Sequence, residues 1–327
     1  MEGEASGRED RAPPLRRTVR RPLALELLPD RYPALNGLRA LAILSVLQIH
    51  VTVVMRHAGL LEASPLARVS INVFFGMDLF FLLSGFLIGT ILLATLERSR
   101  ERGTILRFYG RRALRIIPLY WVVTAALVLI FPLSAEKLAN LPADLLYLTN
   151  YGDEIQRNHL VFWGWSLSVE EHFYLAAPLL VLALLSIRSA RARLAALGAG
   201  WVAAGALRVG LFLSRQDALT QTELFHELYL PTHVRLDILI AGVALAFIQR
   251  RYRERLSRLL ARAVPRRAFL AVSLACLPPL VFPALLGPER AELVRVVGWG
   301  TLTSLMYVPL VLVLLNAEGP LQRLLAS

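Results

Sequence analysis

Eight runs of mostly apolar residues dominate this chain, at roughly 35–55, 69–96, 116–133, 163–187, 194–213, 232–249, 268–287 and 296–316. Each approaches the ~20 residues that cross a hydrocarbon core as a helix. Inside lipid every backbone N–H and C=O must find a partner within the protein, which leaves helices and closed barrels as the spanning structures. Runs of this length select the helix. The expected fold is therefore all-α, a polytopic transmembrane helix bundle of about eight spans. A hydrophobic fraction of 56% over 327 residues excludes an ordinary soluble domain.

The basic residues give this bundle a direction. With the N-terminus inside, 26 of the 36 Lys and Arg residues fall on the inner side, seven on the outer side and three within spans. Such asymmetry is the positive-inside pattern. It predicts a multi-pass protein of the inner (plasma) membrane with a cytoplasmic N-terminus. The net charge of +12 then reports topology and anionic lipid as neighbour, not nucleic acid. Residues 1–31 carry seven arginines and no apolar core of a signal peptide, and read as a basic flexible cytoplasmic arm. Residues 32–327 form the membrane domain. The single cysteine, Cys276, excludes an internal disulfide and a cysteine-cluster metal site, and no metal is expected. Loop 134–162 is expected to cap the bundle outside, and loop 250–267 to form a basic interfacial helix inside. Pro278, Pro279 and Pro283 predict a kink in the seventh span.

Polar residues within the spans are expensive and mark candidate sites. In the first span Arg39 and His50 are eleven residues apart, three helical turns, so they share a stripe with about 16 Å between them. In the second, Asp78, Gly85 and Gly89 share a face, and the GxxxG pair permits close approach of another helix. Arg112 and Arg115, three apart at the inner start of the third span, suit a phosphate-bearing ligand. In the fourth, Ser166, Glu170 and Tyr174 lie on one face, with Glu171 and His172 pointing elsewhere. In the sixth, His233 and Asp237 are four apart, close enough for the carboxylate to orient the ring. Arg208 is expected to snorkel outward from the fifth span. By depth, Asp78, Glu170, His233, Asp237 and His50 form an acidic–histidine cluster on the outer half, and Arg39, Arg112 and Arg115 a cationic cluster on the inner half.

Four stretches occur in a telling order: NGLRALAILSVLQIH, MDLFFLLSGFLIG, RRALRIIPLYW and WSLSVEEHFYL. Together with the Arg-x-Asp of THVRLDILIAGVALA they resemble the acyltransferase 3 family of integral-membrane acyltransferases over about residues 32–316. The resemblance implies an acyl-CoA donor drawn from the cytoplasm, with acetyl-CoA the expected one. It implies an acceptor hydroxyl on a carbohydrate, lipid-linked sugar or secondary metabolite handled at the outer side. His50 matches the family's essential first-span histidine, Arg39 its arginine, Arg112 and Arg115 its RxxR pair, and Glu170 its later glutamate. His172 stands where the family commonly has Gln. The family usually has about ten spans, so a C-terminally truncated chain, with at least one further span after Ser327, is expected.

The functional expectation is an acyl-CoA-dependent O-acyltransferase of the cell envelope. Arg39, Arg112 and Arg115 bind the donor phosphates. His50 acts as base or as covalent acyl carrier, Glu170, Asp78 or both orient and charge-balance it, and His233 with Asp237 stands as a rival base. The alternative is a transporter or flippase for an anionic amphiphile, which would also use intramembrane His, Asp, Glu and Arg. The lack of a visible internal repeat weighs against an inverted-repeat transporter.

Overall fold

The computed structural model describes residues 33–60, 75–152, 158–282 and 287–326, and these are helical with no strand among the described residues. The basic arm 1–31, Arg68, Arg157 and Pro283 lie outside them. The long helices are α1 (Ala34–His57), α2 (Gly76–Leu96), α3 (Arg102–Ile130), α5 (Trp165–Ser186), α6 (Ala190–Arg215), α8 (Leu236–Leu260), α9 (Ala263–Ala275) and α12 (Thr303–Asn316). Shorter ones are α4 (Ala135–Leu145), α7 (Gln221–Leu228), α10 (Leu277–Val281), α11 (Pro288–Val297) and α13 (Pro320–Ala326).

Among the described residues, seven helical stretches are long and apolar enough to cross a membrane: Ala34–Met55, Gly76–Leu96, Arg102–Ile130, Phe162–Ser186, Ala190–Arg215, Ala263–Val281 and Arg290–Asn316. The eighth expected span is helix α8. Asp237 near its start and the arginines from Arg250 onward keep it from qualifying by composition. It nevertheless lies at the heart of the bundle, packed on α2 and α6.

Glycine sets the closest contact. A Cβ on Gly85 of α2 would stand 2.4 Å from Leu239 O, and one on Gly242 of α8 2.3 Å from Leu82 O. Only hydrogen fits at either place, so the two backbones touch. Burial then sorts the helices. In α2 67% of the apolar window is buried, in α3 and in the α9–α10 segment only 11%, so the former is central and the latter two turn their sides to lipid. Helices α1 and α5 pack on α2, α12 packs on α8 and α9, and α13 rests on α1.

The described residues of the segments 134–162 and 250–267 are mostly helical or in short turns. Loop 134–162 contains α4 and two short 3₁₀ turns, Thr149–Tyr151 and Phe162–Gly164. It is held to α3 by Tyr120 Oη donating to Asp144 O at 2.8 Å and Trp121 Nε1 donating to Leu145 O at 3.3 Å. Its hub is the buried Asp144, which accepts from Thr149 Oγ1, His159 Nδ1 and the backbone N–H of Leu160. Basic residues 250–260 continue α8 past a kink at Tyr252 (φ −122°, ψ 15°). The seventh span breaks at Cys276, just before Pro278 and Pro279, as proline requires.

Candidate active site

Helical spacing puts Arg39, Ile43, Val46 and His50 along one side of α1. Ile43 and Val46 line a 250 Å³ cavity. Met77, Phe80 and Phe81 of α2 and Ser166, Leu167 and Glu170 of α5 complete it. His50 is one turn beyond Val46 and exposed. Its Nδ1 is 2.7 Å from Val46 O. A carbonyl can only accept, so Nδ1 carries a proton, and in the tautomer that this contact selects the lone pair lies on Nε2.

Glu170 is anchored from α2. Ser84 Oγ donates to Glu170 Oε1 and lies 2.9 Å from Tyr174 Oη. The shared face of Glu170 and Tyr174 thus meets a serine one position before Gly85, carried inward by the close α2–α8 packing. Cations surround this network. The Arg112 guanidinium lies 4.9 Å from the centre of the Tyr174 ring. Arg39 and Arg112 both interact electrostatically with Glu170, and Arg115 with both of those arginines. Helices α1, α3 and α5 therefore bring Arg39, Arg112, Arg115 and Glu170 into one neighbourhood beside the cavity. Glu170 sits with the cationic group, not in the outer acidic–histidine cluster expected from depth.

The other intramembrane charges pair among themselves. Asp78 is buried, forms an ion pair with the fully buried Arg235, and accepts from Thr303 Oγ1 at 2.6 Å. Arg235 is sandwiched between Phe81 and Tyr229. Asp237 pairs with Arg208 at 2.6 Å and accepts from Thr301 Oγ1 at 2.6 Å. The two threonines reach the carboxylates because the eighth span is broken. Residues Gly298–Leu302 form a π-type turn in which Gly300 has φ 111°. A Cβ there would stand 2.3 Å from Asp237 Oδ1. Positive φ and the close carboxylate together require glycine.

These pairings correct three expectations. Asp78 does not orient His50, because Arg235 and Thr303 hold its two oxygens. Arg208 does not snorkel: it is fully buried, donating also to Val296 O at 2.8 Å. His233 and Asp237 do not form a couple. Helix α8 begins only at Leu236, and residues Thr232–Val234 form a 3₁₀ turn, so helical i,i+4 geometry does not apply. His233 instead lies parallel to the exposed Tyr151, ring centres 5.8 Å apart. His172 Nδ1 meets Thr232 Oγ1 at 2.7 Å. Sequence reasoning did not single out Ser84, Thr301, Thr303 or the Asp144–His159 pair, since each acts through a partner distant in sequence.

Comparison with known proteins identifies the family. The family model described as an acyltransferase domain, acyltransferase 3, matches residues 32–325. The chain is 29% identical over 233 residues to the peptidoglycan O-acetyltransferase OatA of Listeria monocytogenes, covering 66% of this chain and 34% of that protein. It is 31% identical over 178 residues to the putative peptidoglycan O-acetyltransferase YrhL of Bacillus subtilis (50% and 26%). To the O-acetyltransferase OatA of Staphylococcus aureus it is 26% identical over 238 residues (67% and 35%). The aligned part thus spans about a third or less of each relative. No solved structure matches. A multi-pass helical bundle with a family match over nearly its whole length leaves one conclusion: the chain belongs to the acyltransferase 3 family of membrane acyltransferases.

Proposed function

We propose that the protein is an inner-membrane O-acyltransferase that takes an acyl group from cytoplasmic acyl-CoA and passes it to a carbohydrate hydroxyl at the outer side. The relatives' names point to acetyl as the group and peptidoglycan as the acceptor class. One observation carries the reading: Arg39 and Arg112, from two helices and with Arg115 beside them, face a Ser–Glu–Tyr network beside a cavity with a histidine one turn away. Arginine forks suit phosphate and pyrophosphate oxygens. The N-terminus, Arg39, Arg112 and Arg115 then belong on the cytoplasmic side.

In this scheme the donor phosphates lie on Arg39, Arg112 and Arg115. His50 Nε2 holds the free lone pair and does one of two things. As base it takes the proton of the acceptor hydroxyl while that oxygen attacks the thioester carbonyl, with CoA thiolate leaving and gaining a proton. As carrier it takes the acyl group first and passes it on. Base catalysis of this kind contributes about 10²–10⁴ in rate. Glu170 is fixed by Ser84 and balances the surrounding cations rather than touching the ring.

The test uses the purified full chain in nanodiscs with radiolabelled acetyl-CoA and peptidoglycan fragments. Label should appear in the fragments, or CoA be released slowly without them, and His50→Ala should abolish both. Anionic amphiphile transport without acyl transfer, or full activity in the alanine variant, would overturn the proposal. Trapping labelled protein by rapid acid quench separates carrier from base.

A further inference from the structure

On the side of α5 away from Glu170, the loop before it lays an aromatic ring beside two imidazoles. Glu170 and His172 are two positions apart, about 200° around the helix, so they look in opposite directions. Tyr151 is 50% exposed. Its ring centre lies 5.8 Å from those of His172 and His233, and the His233 ring is inclined at only 14° to it. The support behind is braced. His172 Nδ1 meets Thr232 Oγ1 at 2.7 Å, and the same imidazole donates to the backbone carbonyl of Tyr147. Asn150, fully buried, donates to Thr232 Oγ1 at 2.9 Å. Tyr147 has φ 59°, alone among the described non-glycine residues in being positive. Such conformations persist where the surroundings impose them, and they gather at ligand clamps. Three side-chain atoms of this cluster are buried without a hydrogen-bond partner: Tyr147 Oη, Asn150 Oδ1 and Glu171 Oε1. Tyr147 and Glu171 are close enough to interact electrostatically.

The cluster lies deep. His172 is seven residues past the start of α5 at Trp165, about 10 Å along the axis. The chain against it, residues 146–152, is not α-helical. Irregular backbone and an exposed imidazole at such depth belong in a wet vestibule, not against lipid. The neighbours of the Tyr151 ring are imidazoles, an amide and hydroxyls, not guanidinium groups, which suits a neutral sugar better than a phosphate. A pyranose can lay its C–H face on the ring while its rim hydroxyls take hydrogen bonds from the polar groups around it. We infer that Tyr151, with His172 and His233 beside it, is a platform for one sugar of a glycan strand, distinct from the sugar that is acylated. The inference rests on the proposed carbohydrate acceptor and gives the strand a second point of grip, across α5 from the cavity beside His50.

The experiment measures binding of β-1,4-linked N-acetylglucosamine oligomers to the full chain in nanodiscs by calorimetry, with no donor present. In parallel, KM and kcat are measured with acetyl-CoA for the single sugar and the hexamer as acceptors. Tyr151→Ala should weaken hexamer binding about three- to tenfold, the range of an aromatic ring contact. It should raise KM for the hexamer more than for the single sugar. Tyr151→Trp keeps a flat apolar face and should retain binding. Equal hexamer binding by the wild type and Tyr151→Ala would overturn the inference, as would failure of the wild type to bind any oligomer. So would an equal rise in KM for the single sugar and the hexamer, the pattern of a ring that only anchors the fold at the membrane surface. Acetyl transfer with a KM indifferent to Tyr151 would remove the platform and leave the transferase. Tyr151-dependent binding without any transfer would remove the transferase and leave a glycan-binding site.

Discussion

Arg208 offers the sharpest test of how the bundle is held together. It is fully buried, and its guanidinium donates to Asp237 Oδ2 at 2.6 Å, Thr301 Oγ1 at 2.8 Å and Val296 O at 2.8 Å. Replacing it with Met removes the cation and leaves the Asp237 carboxylate buried. Thr301 and the Ile238 N–H, at 2.9 Å, remain as its donors. Breaking one side of a buried pair costs about 3–5 kcal/mol, because the surviving charge is stranded. Asp237→Leu should cost a similar amount, since it strands the arginine. The double variant Arg208→Met/Asp237→Leu strands neither and should recover most of the loss. Reversible denaturation in mixed micelles, followed by tryptophan fluorescence, would give the four free energies of the cycle. Single variants costing under about 1 kcal/mol, or costs that simply add in the double variant, would refute a stranded-charge account. That outcome would mean solvent or lipid headgroups reach the site.

Four further outcomes are expected. Gly242→Leu should lower stability by at least about 1–3 kcal/mol, because its side chain has no room against Leu82 O, whereas Gly210→Ala, with nothing within 4 Å of the new Cβ, should be neutral or slightly stabilising. Steady-state kinetics of Arg112→Ala and Arg115→Ala should show a raised KM for acyl-CoA with little change for the acceptor. Arg112→Lys should rescue only in part, as it loses the planar fork. Ser84→Ala should lower kcat/KM by about 10–100-fold, the equivalent of about 1.5–3 kcal/mol for a hydrogen bond to a charged group, and near-normal activity would detach Glu170 from the chemistry. His172→Gln, which restores the residue common in the family and can still reach Thr232, should remain active, while His172→Ala should loosen the contact between α5 and the Thr232–Val234 turn.

What the sequence revealed was local. The spans were legible because lipid demands unbroken apolar helices, and the Gly85–Gly89 pair announced a close helix contact because nothing else explains two glycines four apart in such a run. Arg112 and Arg115 were legible as neighbours because helical spacing fixes them. The pairing of charges was not legible. Asp237 finds Arg208 and not His233, because the start of α8 at Leu236 is a tertiary fact that periodicity does not encode. A charge count held a hint: two arginines and two aspartates, Arg208, Arg235, Asp78 and Asp237, lie deep in spans, and neutral pairing was the economical solution. Thr301 and Thr303 were invisible for a different reason. They reach the carboxylates only through a break in the eighth span, whose sole sequence trace is the Gly-Trp-Gly of residues 298–300.

Those same pairs impose a timetable on synthesis. Arg208 emerges 29 residues before Asp237. Released alone into lipid, α6 would carry an unpaired arginine at a cost of about 2.5–3.5 kcal/mol. It gains from waiting beside the translocon until α8 arrives, so the two helices are expected to enter as a hairpin. Asp78 has a longer wait. Its hydroxyl partner Thr303 lies 225 residues downstream, and Arg235 comes only with α8. Until then α2 holds an acid without its partners, a costly state in lipid. Ribosome-stalled intermediates should therefore show α2 still accessible to a membrane-embedded insertase, or to a carboxyl-directed crosslinker, until Thr303 has left the exit tunnel.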